Sequence, residues 1–125
     1  MMDKKKKIVI LGSTGSIGTQ ALEVVASRPE QFEVKALTGW NNAALLVDQA
    51  RKFRPETVVI ADGTRYGEVS GQLKDLPIRV LSGEEALSEV AATPDVDLVL
   101  AAIVGFAGLK PVLAALEQGT TVALA

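Results

Sequence analysis

The 125-residue sequence contains no cysteine and no histidine. Disulfides, thiol nucleophiles, Cys/His zinc centres and imidazole acid–base chemistry are therefore excluded within these residues. Aromatics are sparse, with one Trp, one Tyr and three Phe. The single tyrosine, Tyr66, is followed four residues on by Ser70 instead of a lysine, which removes the Tyr/Lys pair of a short-chain dehydrogenase. An excess of either charge is also missing: 13 Lys plus Arg stand against 15 Asp plus Glu, a net charge of −2. No broad cationic surface is left to neutralise a phosphate backbone, so nucleic acid is not an expected partner. No apolar run approaches the roughly 18 residues of a membrane span. The opening Met1-Met2-Asp3 and Lys4 to Lys7 precede an apolar stretch too short for a signal peptide. The expectation is a cytoplasmic protein without a membrane partner, whose lysines form a solvated flank. Any catalysis would run on carboxylates, Lys, Tyr, hydroxyls or a borrowed cofactor.

With 48% hydrophobic and 22% charged residues, the chain can fill one compact core, and residues 1–125 are read as a single domain. Apolar runs recur at Ile8–Leu11, Val34–Leu37, Val58–Ile60, Ile78–Leu81, Leu98–Val104 and Val122–Leu124. Their continuity predicts strands covered on both faces. Helical faces are expected between them: Ile17, Ala21, Val24 and Val25, then Ala43, Leu46, Val47 and Ala50, then Leu109, Val112, Leu113 and Leu116, closed by Gly119. Ser82 with Glu85 resembles a capping box opening a helix on Ala86, Leu87 and Val90. Gly63, Gly67 and Gly71 argue for a loop with one helical turn between Gly63 and Leu73. Strand and helix alternate throughout, which predicts an α/β, Rossmann-like doubly wound parallel sheet with helices on both faces. The chain stops at Ala125 in an apolar run with no turn signal, as expected of a piece of something longer.

The most informative segment is Gly12-Ser-Thr-Gly-Ser-Ile-Gly18, a G-x-x-G-x-x-G spacing between a strand and a helix. Such a turn suits a dinucleotide diphosphate. Gly12 permits the tight turn, Gly15 lets backbone approach the phosphates and Gly18 lets the helix pack closely. The amides of Gly15, Ser16 and Ile17 would face the anion at the helix N-terminus, with the hydroxyls of Thr14 and Ser16 as further donors. A P-loop is excluded because no Lys follows in the turn.

The end of the second strand discriminates NAD from NADP. An acidic residue there would accept from the ribose 2′-OH, yet no carboxylate occurs from Ala36 to Ala43. NADP is therefore favoured, its 2′-phosphate held by donors of Trp40, Asn41 and Asn42 in the absence of the usual cation. Asn42 also suits a helix N-cap. Asp62 before Gly63 suits a turn, or an approach to adenine. Small residues near Ala101, Ala102 and Ile103 end the longest apolar run where a nicotinamide ring would lie.

The segments GSTGSIGTQALEVV from Gly12, FEVKALT from Phe32, AAIVGFAGLKPVLAALEQG from Ala101 and the closing TVALA together resemble the 1-deoxy-D-xylulose 5-phosphate reductoisomerase family. The resemblance covers essentially the whole chain. It implies an N-terminal NADPH-binding domain, with contacts on Thr14, Gly15, Ser16 and Ile17 and a second cluster aligned on Trp40, Asn41 and Asn42, of which this sequence retains only the last residue. It further implies an oxidoreductase of non-mevalonate isoprenoid synthesis. Such an enzyme uses NADPH and a divalent metal, Mn or Mg, on a small phosphorylated sugar, with the homodimer as its assembly. Carboxylate metal ligands and the substrate site are expected beyond Ala125, so these residues alone would not catalyse. Two other readings stay open: a nonenzymatic NADP- or nucleotide-sensing module, and another NADP enzyme such as a semialdehyde dehydrogenase, which would need a nucleophilic Cys downstream.

Overall fold

The structure, a computed structural model, describes residues 4–125. Met1, Met2 and Asp3, part of the start weighed above as a leader, lie outside the described residues. Strands β1 (Lys6–Leu11), β2 (Phe32–Gly39), β3 (Thr57–Ile60), β4 (Arg79–Ser82), β5 (Leu98–Ala101) and β6 (Thr121–Leu124) alternate with helices α1 (Ser16–Ser27), α2 (Ala43–Phe53), α3 (Tyr66–Leu73), α4 (Glu84–Ala91) and α5 (Leu109–Gln118). All strand pairs are parallel, in the order β4-β3-β2-β1-β5-β6. The direction of winding reverses between β1 and β5, which opens a crevice at the strands' carboxyl ends.

Alternation along β1 builds two cores. Ile8 and Ile10 join Leu22 and Val25 of α1, Leu46, Val47 and Ala50 of α2 and Val69 and Leu73 of α3. Val9 and Leu11 join Ala86, Leu87 and Val90 of α4 and Ala115 of α5 on the other face. The doubly wound sheet expected from the sequence is thus the observed one, and no described helix is long and apolar enough to cross a membrane.

Local expectations fare unevenly. The α2 face, Ala43, Leu46, Val47 and Ala50, is buried as expected. On α1 the buried residues are Gly18, Leu22 and Val25, whereas Ile17 and Val24 are 46% and 54% exposed. Close seating of Gly18 on the preceding turn rolls the helix and selects the stripe at i, i+4 and i+7 from that glycine. On α5 the expected stripe holds only at Val112, which packs partly buried against the core: Leu109, Leu113 and Leu116 are exposed, and Pro111 and Ala115 are the buried residues. The helix packs on α4 and β6 through its small side, and β6 is the sheet's edge, so nothing among the described residues covers Leu109, Leu113 and Leu116.

The capping box is also corrected. Ser82 ends β4, paired with Ile60, and the cap of α4 is Gly83 at φ +94 with no side-chain hydrogen bond. The sheet has already claimed the serine backbone. The run from Leu98 to Val104 makes a strand only to Ala101. Once β1 turns away at Gly12 (φ +83), later residues have no ladder to join, and Val104 is 86% exposed.

The glycine-bearing segment from Gly63 is not a loop. A 3-10 turn, Gly63–Arg65, leads into the two-turn α3. Val69 and Leu73, one helical turn apart, bury completely and outweigh the poor propensity. A Cβ on Gly67 or Gly71 would meet nothing within 4 Å. The double variant Gly67→Ala/Gly71→Ala is therefore expected to gain about 1–2 kcal/mol. Its urea midpoint should rise with an unchanged slope, and a lower midpoint would contradict this account.

Candidate functional site

The turn after β1 is built from backbone that tolerates few side chains. Gly12 has φ +83, and a Cβ there would lie 2.9 Å from the Ala102 carbonyl oxygen. The chain bends back at once, with the Gly15 N–H donating to the Gly12 carbonyl at 3.3 Å. A Cβ on Gly18 would sit 2.1 Å from the same Gly12 oxygen and 2.6 Å from Ser13 Cα. At Gly15, by contrast, a Cβ would meet only that oxygen, at an ordinary 3.7 Å. The outer side of Gly15 is open.

Three strand ends frame a cavity of about 170 Å³ lined by Gly12, Thr14 and Gly15 after β1, Thr38, Gly39 and Trp40 from β2, Leu87 of α4, and Ala102 and Ile103 after β5. It lies at the β1/β5 reversal, where ligands bind open α/β sheets. No charged side chain is among its lining residues. Anion binding here would rest on backbone dipoles. The amides of Thr14, Ser16 and Ile17 donate to no acceptor among the described residues, and the positive end of the α1 dipole reinforces them.

Of the residues singled out from the sequence, Gly12, Thr14, Gly15, Trp40, Ala102 and Ile103 line this cavity. Ser16 and Ile17 stand at the start of α1, exposed beside it. Gly18 is buried beneath the turn and serves packing. The Gly15 amide is a correction: it closes the turn onto Gly12 and is not a free donor, leaving Thr14 as the additional one. Asn42 caps α2, its Oδ1 accepting from Leu45 N–H at 3.2 Å. Asn41 is exposed beyond the cavity rim.

Asp62 forms the turn weighed above. Its carboxylate accepts from the Thr64 hydroxyl at 2.6 Å and the Thr64 amide at 3.0 Å. The hydroxyl contact above all, then the amide, holds its pKa below the usual value. A carboxylate bound this way is committed to its own turn.

Sequence reasoning missed Thr38, Gly39, Leu87, Ser13 and Gln49. A Cβ on Gly39 would crowd Thr14 Cγ2 and Oγ1 at 3.1 Å, so bareness at the end of β2 seats the Thr14 side chain. Thr38 accepts from Gly12 N–H through its hydroxyl at 2.8 Å and from Ser13 N–H through its carbonyl at 2.7 Å. These pairings span separate parts of the sequence. Gln49 did leave a signal, since it falls three residues after Leu46 on the arc α2 buries.

Among the described residues, no group of three or more His, Cys, Asp or Glu side chains converges as metal ligands do.

Comparison with known proteins adds independent findings. A family model described as 1-deoxy-D-xylulose 5-phosphate reductoisomerase matches residues 8–125. The 1-deoxy-D-xylulose 5-phosphate reductoisomerase of Phocaeicola vulgatus is 52% identical over 121 residues, covering 97% of this chain and 32% of that protein. The solved reductoisomerase of Zymomonas mobilis in complex with NADPH superposes with a TM-score of 0.93 at 37% identity, over 98% of this chain and 32% of that one. A DOX-P reductoisomerase in complex with NADPH, fosmidomycin and magnesium gives 0.90 at 37% identity, over 94% and 29%. The chain spans about a third of the length of the curated relatives it matches.

Proposed function

The chain belongs to the 1-deoxy-D-xylulose 5-phosphate reductoisomerase family, and on that premise we propose that residues 1–125 form the NADPH-binding domain of such an enzyme. The observation that carries the reading is the open side of Gly15 above the free amides of Thr14, Ser16 and Ile17, at the carboxyl ends of β1 and β5. The residues fit the cofactor. Those amides would hold the diphosphate, with the Thr14 and Ser16 hydroxyls as further donors. The nicotinamide end would be held by Ala102 and Ile103, which line the cavity after β5. The adenosine 2′-phosphate takes neutral donors of Trp40, Asn41 and Asn42, and no carboxylate on that strand end repels it.

The bound cofactor supplies hydride. This chain's own residues would bind and orient it, the diphosphate by the amides after β1 and the ring by the apolar lining at Ala102 and Ile103. The whole enzyme is assigned the rearrangement and reduction of deoxyxylulose 5-phosphate to 2-C-methyl-D-erythritol 4-phosphate, as a cytoplasmic homodimer without nucleic-acid or membrane partners. Its divalent metal and phosphorylated sugar are assigned, on the family likeness, to the part of the relatives' length that this chain does not span. The 125 residues alone should bind cofactor without turnover.

Trp40, the sole tryptophan, is 47% exposed at the cavity edge, which makes the test direct. Titration with NADPH should quench its fluorescence, with NADH binding about tenfold more weakly for want of the 2′-phosphate hydrogen bonds. Equal silence with both nucleotides from folded protein would overturn the reading.

A further inference from the structure

Gln49 is only 7% exposed, on a buried face of α2 whose other members, Ala43, Leu46, Val47 and Ala50, are apolar. Burying a primary amide carries a desolvation penalty that a leucine would avoid, so packing alone does not account for it. Its hydrogen bonds do. Nε2 donates to the Ser13 carbonyl at 2.9 Å, and Oε1 accepts from the Ser13 hydroxyl at 2.7 Å. A carbonyl can only accept, so the amide has one orientation that satisfies both contacts. No buried side-chain polar atom among the described residues is left unpaired.

Gripping the Ser13 carbonyl has a consequence one atom further on. The Ser13–Thr14 peptide is planar and trans, so its C=O and N–H point in opposite directions. With the carbonyl drawn toward α2, the Thr14 N–H is turned the other way, to the side on which Thr14 lines the cavity. That amide has no acceptor among the described residues. The turn is held from its opposite flank by Thr38, through Gly12 and Ser13. Gln49 therefore holds the Ser13–Thr14 peptide plane, to which β2 gives no hydrogen bond.

We propose that Gln49 is a positioning residue for anion binding, which aims the Thr14 amide at the cofactor diphosphate by holding the Ser13 carbonyl. The proposal rests on the NADPH reading above and adds to it a residue that never touches the ligand.

The test compares wild type with Gln49→Met, which keeps length and bulk but loses both hydrogen bonds, and with Gln49→Glu, which as a carboxylate keeps the acceptor and loses the donor. NADPH affinity should fall about tenfold or more in both, the worth of a lost hydrogen bond to a charged group. Affinity for adenosine 2′-monophosphate, which carries no diphosphate, should stay unchanged. A general loosening of the fold would weaken both ligands alike and so would overturn the proposal, as would NADPH affinities equal to wild type. Should neither variant fold, amide NMR of the wild-type protein decides: inorganic pyrophosphate must shift the Thr14 resonance together with those of Ser16 and Ile17, and a stationary Thr14 amide refutes the assignment. Wild-type protein that ignores NADPH altogether would remove the cofactor reading, and this proposal with it; a wild type that binds while Gln49→Met binds equally removes the proposal alone.

Discussion

Gly15→Val is expected to abolish NADPH binding and leave the fold intact. The residue has φ −79 and ψ 175, extended backbone that a β-branched side chain adopts readily. Its Cβ would meet the Gly12 oxygen at an unstrained 3.7 Å, so stability should change by no more than about 0.5 kcal/mol, as for a surface substitution. The two added methyl groups stand over the amides of Thr14, Ser16 and Ile17. A diphosphate kept off by a methyl radius loses several charge-assisted hydrogen bonds together, each worth about 1.5–3 kcal/mol. Affinity should drop by at least about 100-fold. Calorimetric titration beside a thermal melt checks both halves, and unchanged binding in a folded variant would displace the anion from this turn.

Gly18→Ala should do the reverse of what helix propensity predicts. In an exposed helix interior the change gains about 1 kcal/mol. Here the new methyl would lie 2.1 Å from the Gly12 oxygen and 2.6 Å from Ser13 Cα, both backbone atoms that cannot swing aside. The helix must lift off the turn by more than an ångström. Relief of such overpacking costs about 1–3 kcal/mol or more, with the Leu22 and Val25 contacts strained besides. We expect a net loss of about 3 kcal/mol and a melting temperature lower by about 10 °C. A variant as stable as the parent would show that α1 is not seated as closely as described. Together the two glycines separate binding from folding within one motif.

The glycine turn and the sheet were readable because their signals are local: spacing within seven residues, and apolar runs whose alternation with helices fixes the winding. Ala102 and Ile103 could be placed because the strand before them had to end at the crevice. Thr38, Gly39 and Leu87 could not, since their roles exist only after β2 and α4 are set beside β1. The leucines of α5 show a different limit. A periodic stripe tells which side of a helix is apolar, but Leu109, Leu113 and Leu116 bury only if something lies opposite them, and α5 sits at the β6 margin. At Ser82 the conflict was between two local uses of one residue, and strand pairing with Ile60 prevailed over capping.

The walls of the cleft are tied to one another by main-chain bonds. Ser13 donates to Thr38 at 2.7 Å and Ala102 donates to Leu11 at 2.9 Å. Their separation is thereby the spacing of adjacent strands, not the setting of a hinge. A nucleotide entering such a seat has little disorder to remove from the protein, so more of its contact energy survives as affinity. It also follows that this seat cannot shut over a guest by moving its own walls, because each wall is the end of a strand bonded to its neighbour.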